Sequence, residues 1–156
     1  MNRLATNVAK LTRYPAWVLS WSLGRFVKFT GTAGVRYEEV TCERVVVSLA
    51  NAPRVRNHIG QIHAAAMALL AETATGIVVG MNVPDDKIPL IKYMNVKFVR
   101  RSQGAMRAEA TLTAEQRELI TTTPKGDVIV AVVVTDETGN QPIECEMCWA
   151  WIPKKR

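Results

Sequence analysis

The chain has 156 residues, 48% of them apolar, and carries 20 Lys and Arg against 14 Asp and Glu for a formal net charge of +6. That length suits one domain with a filled core. Three cysteines, Cys42, Cys145 and Cys148, are too few and too unevenly spaced for a disulfide framework, which points to a reducing compartment, the cytoplasm by expectation.

The positive charge is uneven. Residues 1 to 37 hold Arg3, Lys10, Arg13, Arg25, Lys28 and Arg36 with no acid, and the chain ends Lys154-Lys155-Arg156. An Arg-rich, acid-free start is also the composition of an organellar leader, but the segment is read here as part of the folded protein. Nucleic acid is not expected as a partner, because no motif interleaves these cations with aromatic platforms. Attraction of a small polyanionic ligand stays open.

In chain order, Leu4, Val8 and Leu11 recur at helical spacing, and Tyr14-Pro15 breaks the pattern. Pro15 suits a first helical residue, and Trp17 and Trp21 follow one turn apart before Gly24, so residues 1–30 predict two short helices. The tryptophan stripe is read as core or subunit contact. Strands are predicted for Val35 to Val40 and Arg44 to Leu49. Next comes NHIGQIHAAAMALLAETATGIVVG, Asn57 to Gly80. Ile62, Ala66, Leu69, Thr73 and Ile77 share one face of its helix, while Ala68, Ala71, Thr75 and Val78 leave the opposite face uncharged. A helix apolar all round is buried all round. A membrane span is not expected, because a carboxylate near the centre would cost about 2.5 to 3.5 kcal/mol on insertion scales.

Four more strands follow, Leu90 to Arg100, Ala105 to Leu112, Val128 to Asp136 and Ile143 to Trp151. The short joins Arg101 to Gly104 and Glu137 to Asn140 predict hairpins and antiparallel pairing. The fold class is α+β. Cys145 and Cys148 form a C-x-x-C on the last strand, in IECEMCWAW. Residues three apart on a strand point to opposite faces, so these read as structural thiols and no metal is expected.

Between Arg56 and Asp85 the titratable residues are His58, His63 and Glu72. Burial would raise the Glu72 carboxyl pKa and strip its water, which suits a base or nucleophile. The alternative is a glutamate satisfied by backbone donors or by a cation from the sheet.

The pattern Asn57-x-x-Gly60-x-x-His63-Ala64-Ala65 followed by Glu72 resembles the loop and central helix of hotdog-fold acyl-CoA thioesterases of the phenylacetate-pathway type. MNVKFVRRSQG followed by AMRAEATL resembles the hairpin after that helix, and RYPAW with GRFVKFTGTAGV resembles a less characterised branch of the superfamily. The resemblance covers residues 35–152 and implies a single hotdog domain over 1–156, a long helix wrapped by a curved antiparallel sheet. It implies hydrolysis of an acyl-CoA thioester, with coenzyme A only as part of the substrate. Glu72 matches the carboxylate that attacks the carbonyl or activates water, and Asn57 the amide that positions water or substrate across a dimer interface. Ala64 matches the first residue of the usual Gly-Gly, whose N–H polarises the carbonyl, while His63 holds the loop by hydrogen bonds. Gly60, Ala65, Thr73 and Thr75 fall along the implied substrate site. Gly76 stands where several members place Ser or Thr. Lys97, Arg100 and Arg101 fall near the implied pantetheine tunnel mouth, and the assembly implied is a homodimer or a dimer of dimers.

Two other functions compete. His58 precedes Glu72 by fourteen residues, a spacing that resembles hydroxyacyl-thioester dehydratases, although their Gly-His-Phe-Pro is replaced by Asn57-His58-Ile59-Gly60. A non-catalytic acyl-CoA-binding hotdog, with Glu72 merely lining the ligand site, is the third reading.

Overall fold

The computed structural model describes residues 2–155. Three helices open the chain: α1 (Arg3–Leu11), α2 (Ala16–Phe26) and α3 (Lys28–Ala33). Strands β1 (Arg36–Val40) and β2 (Arg44–Leu49) lead through a 3₁₀ turn, Pro53–Val55, to the long helix α4 (Ala64–Gly80). The remainder is β3 (Lys87–Phe98), β4 (Met106–Thr111), α5 (Ala114–Thr122), β5 (Gly126–Asp136) and β6 (Ile143–Pro153). The strands form one antiparallel sheet in the order β1-β2-β4-β5-β6-β3.

The sheet wraps α4, which packs against β2, β3, β4, β5 and β6. Leu70, Ala71, Ala74 and Val78 of α4 are fully buried, and they meet the inward residues Val45, Val47, Ala108, Ala110, Val130 and Met147 in one core. Thr73 and Thr75 enter this apolar environment because each hydroxyl returns to its own helix, donating to Leu69 O (2.6 Å) and Ala71 O (2.9 Å). Each hydroxyl proton is thereby satisfied within the helix itself. Among the described residues no helix is long and apolar enough to cross a membrane.

The opening segment has three helices where the periodicity predicted two. Gly24 does not end α2. It is where α3 crosses closely, since a Cβ on Gly31 would lie 2.5 Å from the Gly24 carbonyl oxygen. Buried Leu19 and Leu23 define the inner stripe of α2, which turns Trp17 and Trp21 outward at 69% and 60% exposure. They are therefore not core residues. The segment is tied to the rest by Asn2, whose Nδ2 donates to Gly80 O and Val83 O at 2.8 Å, and by Ser20 Oγ, which accepts from Tyr37 N at 2.9 Å.

One hairpin expectation fails. Residues 101–104 do not join paired neighbours, because β5 and β6 lie between β4 and β3. The loop instead crosses the end of the β5–β6 hairpin, held by Gln103 N to Asp136 Oδ2 (3.0 Å) and Ala105 N to Glu137 Oε2 (3.1 Å). Glu137 to Asn140 is the hairpin turn expected, with Gly139 at φ +81°. Helix α5 was not predicted. It begins in a capping box in which Thr113 and Gln116 satisfy each other's backbone, and buried Ile120 anchors it.

Candidate active site on the central helix

Helix α4 begins at Ala64 because His63 caps it. The His63 side chain accepts at Nδ1 from Ala65 N (3.1 Å), and its carbonyl accepts from Ala66 N and Met67 N. Among the described residues this leaves the Ala64 N–H as the first-turn amide without an acceptor. Such a donor, at the positive end of a helix dipole, can polarise a carbonyl. Ala64 and Ala65 are both exposed.

The preceding loop is preorganised by Asn57. Its Oδ1 accepts from Ile59 N (3.1 Å) and Gln61 N (3.0 Å), and the turn closes with Gly60 N donating to Asn57 O at 3.1 Å. Gly60 lies at φ +78°, a conformation that side-chain-bearing residues rarely adopt. Among the described residues Asn57 Nδ2 has no acceptor, so this end of the amide is free. His58 is exposed on the same turn.

Glu72 projects into an apolar cavity of about 160 Å³ beneath the opening helices. Leu4, Phe26, Val27, Tyr37, Ile77 and Trp149 form most of its wall, with Thr73, Gly76 and Gly80 from α4 itself. Among the described residues no cation lines it, and the Glu72 carboxylate meets neither a hydrogen-bond donor nor a salt-bridge partner. Burial accordingly raises its pKa above the ordinary value of 4.5. The Tyr37 phenol is also raised, by burial first; its hydrogen bond to Thr30 opposes the rise and the Glu72 charge adds to it. The polar groups of the wall are already paired, Tyr37 OH donating to Thr30 Oγ1 (3.2 Å) and Thr30 Oγ1 to Val27 O (2.8 Å). An unpaired carboxylate among satisfied neighbours is available for proton transfer or attack.

Trp149 explains the missing hydroxyl. A Cβ at Gly76 would lie 2.7 Å from the indole ring, so the space one turn after Glu72 is filled by an aromatic ring. Trp149 Nε1 donates to Thr75 Oγ1 (2.9 Å), which commits the Thr75 hydroxyl to structure. Thr73 lines the cavity and Thr75 does not. Ala65 and His63 line a separate cleft with Phe29 and Leu69. Lys97 stands on β3 opposite Glu144, while Arg100 and Arg101 are exposed in the loop beyond. That loop lies at the end of the sheet from which β2 departs for α4. Trp149 alternates along its strand with Ile143 and Met147 against Glu144 and Glu146; Tyr37, Phe26 and Leu4 as neighbours of Glu72 had no local signal.

A long helix inside a six-stranded antiparallel wrap is the hotdog arrangement, and several solved structures of this form are described as thioesterases. A Pseudomonas aeruginosa protein of unknown function, described as a probable thioesterase, has a TM-score of 0.78 at 26% identity, over 90% of this chain and 97% of that one. A Haemophilus influenzae thioesterase has a TM-score of 0.71 at 13% identity, over 90% and 92%. A Bacillus halodurans protein solved with CoA has a TM-score of 0.66 at 20% identity, over 81% and 80%. No curated protein matches the chain. Residues 15–152 match the family described as a domain of unknown function, DUF4442, and the chain belongs to that family.

Proposed function

We propose that this protein hydrolyses acyl-CoA thioesters, with a Glu72 carboxylate oxygen as the reacting group. The observation that carries the reading is the lone Glu72 carboxylate, partly buried and without a partner among the described residues, at the wall of an apolar cavity. Holding a charge there costs stability, and a purely structural role would supply it with a partner. Acting as base, Glu72 takes a proton from water, the hydroxide adds to the thioester carbonyl, and the C–S bond breaks. The proton then passes to the departing coenzyme A thiolate. Acting as nucleophile, the same oxygen adds to the carbonyl and expels the coenzyme A thiolate, which takes a proton from water, and a second water hydrolyses the resulting anhydride to the free acid and the Glu72 carboxylate.

The site is completed by a second copy. Ala64 and Glu72 are eight residues apart, about 12 Å of helix rise, whereas a reacting carbonyl must lie about 3 Å from both groups. Ala64 N–H and Asn57 Nδ2 of one protomer therefore serve the partner's Glu72. The edge strand β3 favours such a dimer. Among the described residues it pairs only with β6 and exposes Leu90, Ile91, Tyr93, Met94 and Phe98, the pattern of an edge that another chain covers. Pairing of dimers into a tetramer belongs to the same proposal. Gly60 keeps the Asn57 turn, Thr73 lines the acyl end, and Arg100 and Arg101 hold coenzyme A phosphates at the mouth, with Lys97 on the adjoining strand.

Thiol release from a panel of acyl-CoA substrates tests this reading. Turnover on at least one member is expected; binding across the panel without thiol release would favour a non-catalytic acyl-CoA-binding protein.

A further inference from the structure

The cations of the opening segment have no part in the Glu72 cavity, yet the structure gathers several of them. A groove of about 610 Å³ lies on the other side of the corner between α2 and α3. Val27 and Thr30 line the Glu72 cavity, whereas Arg25, Lys28 and Gly31 line the groove. Arg36 from β1 and Arg54 from the 3₁₀ turn complete a ring of four cations, with Trp21 beside them and no carboxylate in the lining. Among the described residues none of these four forms an ion pair. Like charges facing one concave space repel, and an anion among them removes that cost.

The groove is built before any ligand arrives. Arg54 is fixed by donating from Nε to Ala33 O (3.0 Å), and its guanidinium lies over Gly34, where a Cβ would collide with it. Gly34 has φ +79°, so glycine is suited there on two counts. The Nη groups of Arg54 meet no acceptor among the described residues and are free for bidentate contact with phosphate. Gly24 and Gly31, whose backbones meet at the helix crossing, also line the groove, so part of its lining is bare main chain. Trp21 is 60% exposed, with the Arg25 guanidinium 5.2 Å from its ring centroid. A flat ring can stack on that indole.

We propose that this groove binds an adenine nucleotide bearing at least two phosphates, the ring on Trp21 and the phosphates among Lys28, Arg36 and Arg54. The groove is open to solvent along its length, and its volume of about 610 Å³ has room for such a molecule; a ring of cations with one aromatic platform fits it better than a flat lipid surface. Polyphosphate without a base shares the charge chemistry but would ignore Trp21. The proposal is independent of hydrolysis at Glu72.

Isothermal titration of the full chain with ADP, adenosine and inorganic pyrophosphate tests it. In an Arg100→Ala, Arg101→Ala background, which removes the cations proposed to hold coenzyme A, one ADP per chain is expected, bound more weakly as salt rises, with adenosine much weaker. Lys28→Gln and Arg36→Gln, both at exposed positions, should each weaken ADP about ten-fold, the scale of a lost charge-assisted contact. Trp21→Leu should weaken ADP at least about five-fold and leave pyrophosphate unchanged. Circular dichroism establishes that each variant is folded. Failure of ADP to saturate the protein at millimolar concentration would overturn the proposal, as would ADP affinity indifferent to Lys28→Gln and Arg36→Gln. Equal affinity for ADP and pyrophosphate, with Trp21→Leu silent, would overturn the assignment to a nucleotide.

Discussion

A series of straight-chain acyl-CoA substrates, from acetyl to decanoyl, reads the cavity beside Glu72. The cavity measures about 160 Å³ behind Leu4, Phe26, Val27, Ile77 and Trp149. An apolar protein cavity of about 150 Å³ accepts benzene, so roughly six carbons fill this one. Each methylene buried contributes about 0.8 kcal/mol. When that burial is realised in the transition state, kcat/KM rises about four-fold per carbon, or about fifteen-fold from butyryl to hexanoyl. Beyond about six carbons the rise stops, because further methylenes meet the α1 wall. Leu4→Ala removes part of that wall and should move the break to longer chains while leaving butyryl turnover nearly unchanged. The assay is thiol release under subsaturating substrate. A slope that continues unbroken to decanoyl in the wild type, or a break that Leu4→Ala fails to move, would show that the acyl group binds elsewhere.

Glu72→Gln should stabilise the fold at neutral pH, since it removes a charge that burial disfavours. For a carboxyl whose pKa is raised on folding, the favourable contribution is full below the unfolded value and is lost as pH rises through the folded one. The gain measured by urea unfolding should therefore be present at pH 7 and vanish near pH 4; equal stability at pH 7 would contradict a desolvated carboxylate. The same raised pKa predicts that wild-type turnover declines on acidification at a higher pH than an ordinary glutamate would give. Gly76→Thr, which restores a hydroxyl after Glu72, should cost about 1 to 3 kcal/mol by overpacking against the Trp149 ring, 2.7 Å from the new Cβ. An unchanged unfolding midpoint would mean that Trp149 is free to move aside. Met94→Lys places a charge on the exposed β3 edge and should convert the proposed dimer to monomer in light scattering, with loss of the proposed turnover. A variant that remains dimeric would place the interface elsewhere.

Much of the architecture was legible because it rests on periodicity. Helix α4 reads as buried on every side, and the alternation of Ile143, Cys145 and Met147 with Glu144 and Glu146 gives the inward face of β6 directly, whereas β5 is apolar at every position from Val128 to Val134 and its inward face is set by packing. Strand order was not legible. The short 101–104 segment suits a hairpin equally well as the observed crossing over the β5–β6 turn, since local turn chemistry does not record which strands intervene. Helix α5 did carry a readable signal, Thr113 and Gln116 at capping-box spacing. In α2, spacing alone could not say whether the tryptophan or the leucine stripe faces inward; Leu19 and Leu23 win because they fit against α3 and β1. In the candidate site, Glu72 stood out as the lone carboxylate in an apolar helix, and His63 was expected to act through hydrogen bonds. The contribution of Trp149, Tyr37 and Leu4 depends on chain segments brought together by packing, and no local pattern anticipates that.

The most direct test of the account is the rate of thiol release by Glu72→Gln on the acyl-CoA that the wild type hydrolyses fastest, with substrate binding measured in parallel. The amide keeps the size of the side chain but supplies neither a base nor a nucleophile. The account predicts retained binding and a fall in kcat of at least about a hundred-fold, the lower end of what a positioned acid–base group contributes; a kcat within a few-fold of wild type would contradict Glu72 as the reacting group.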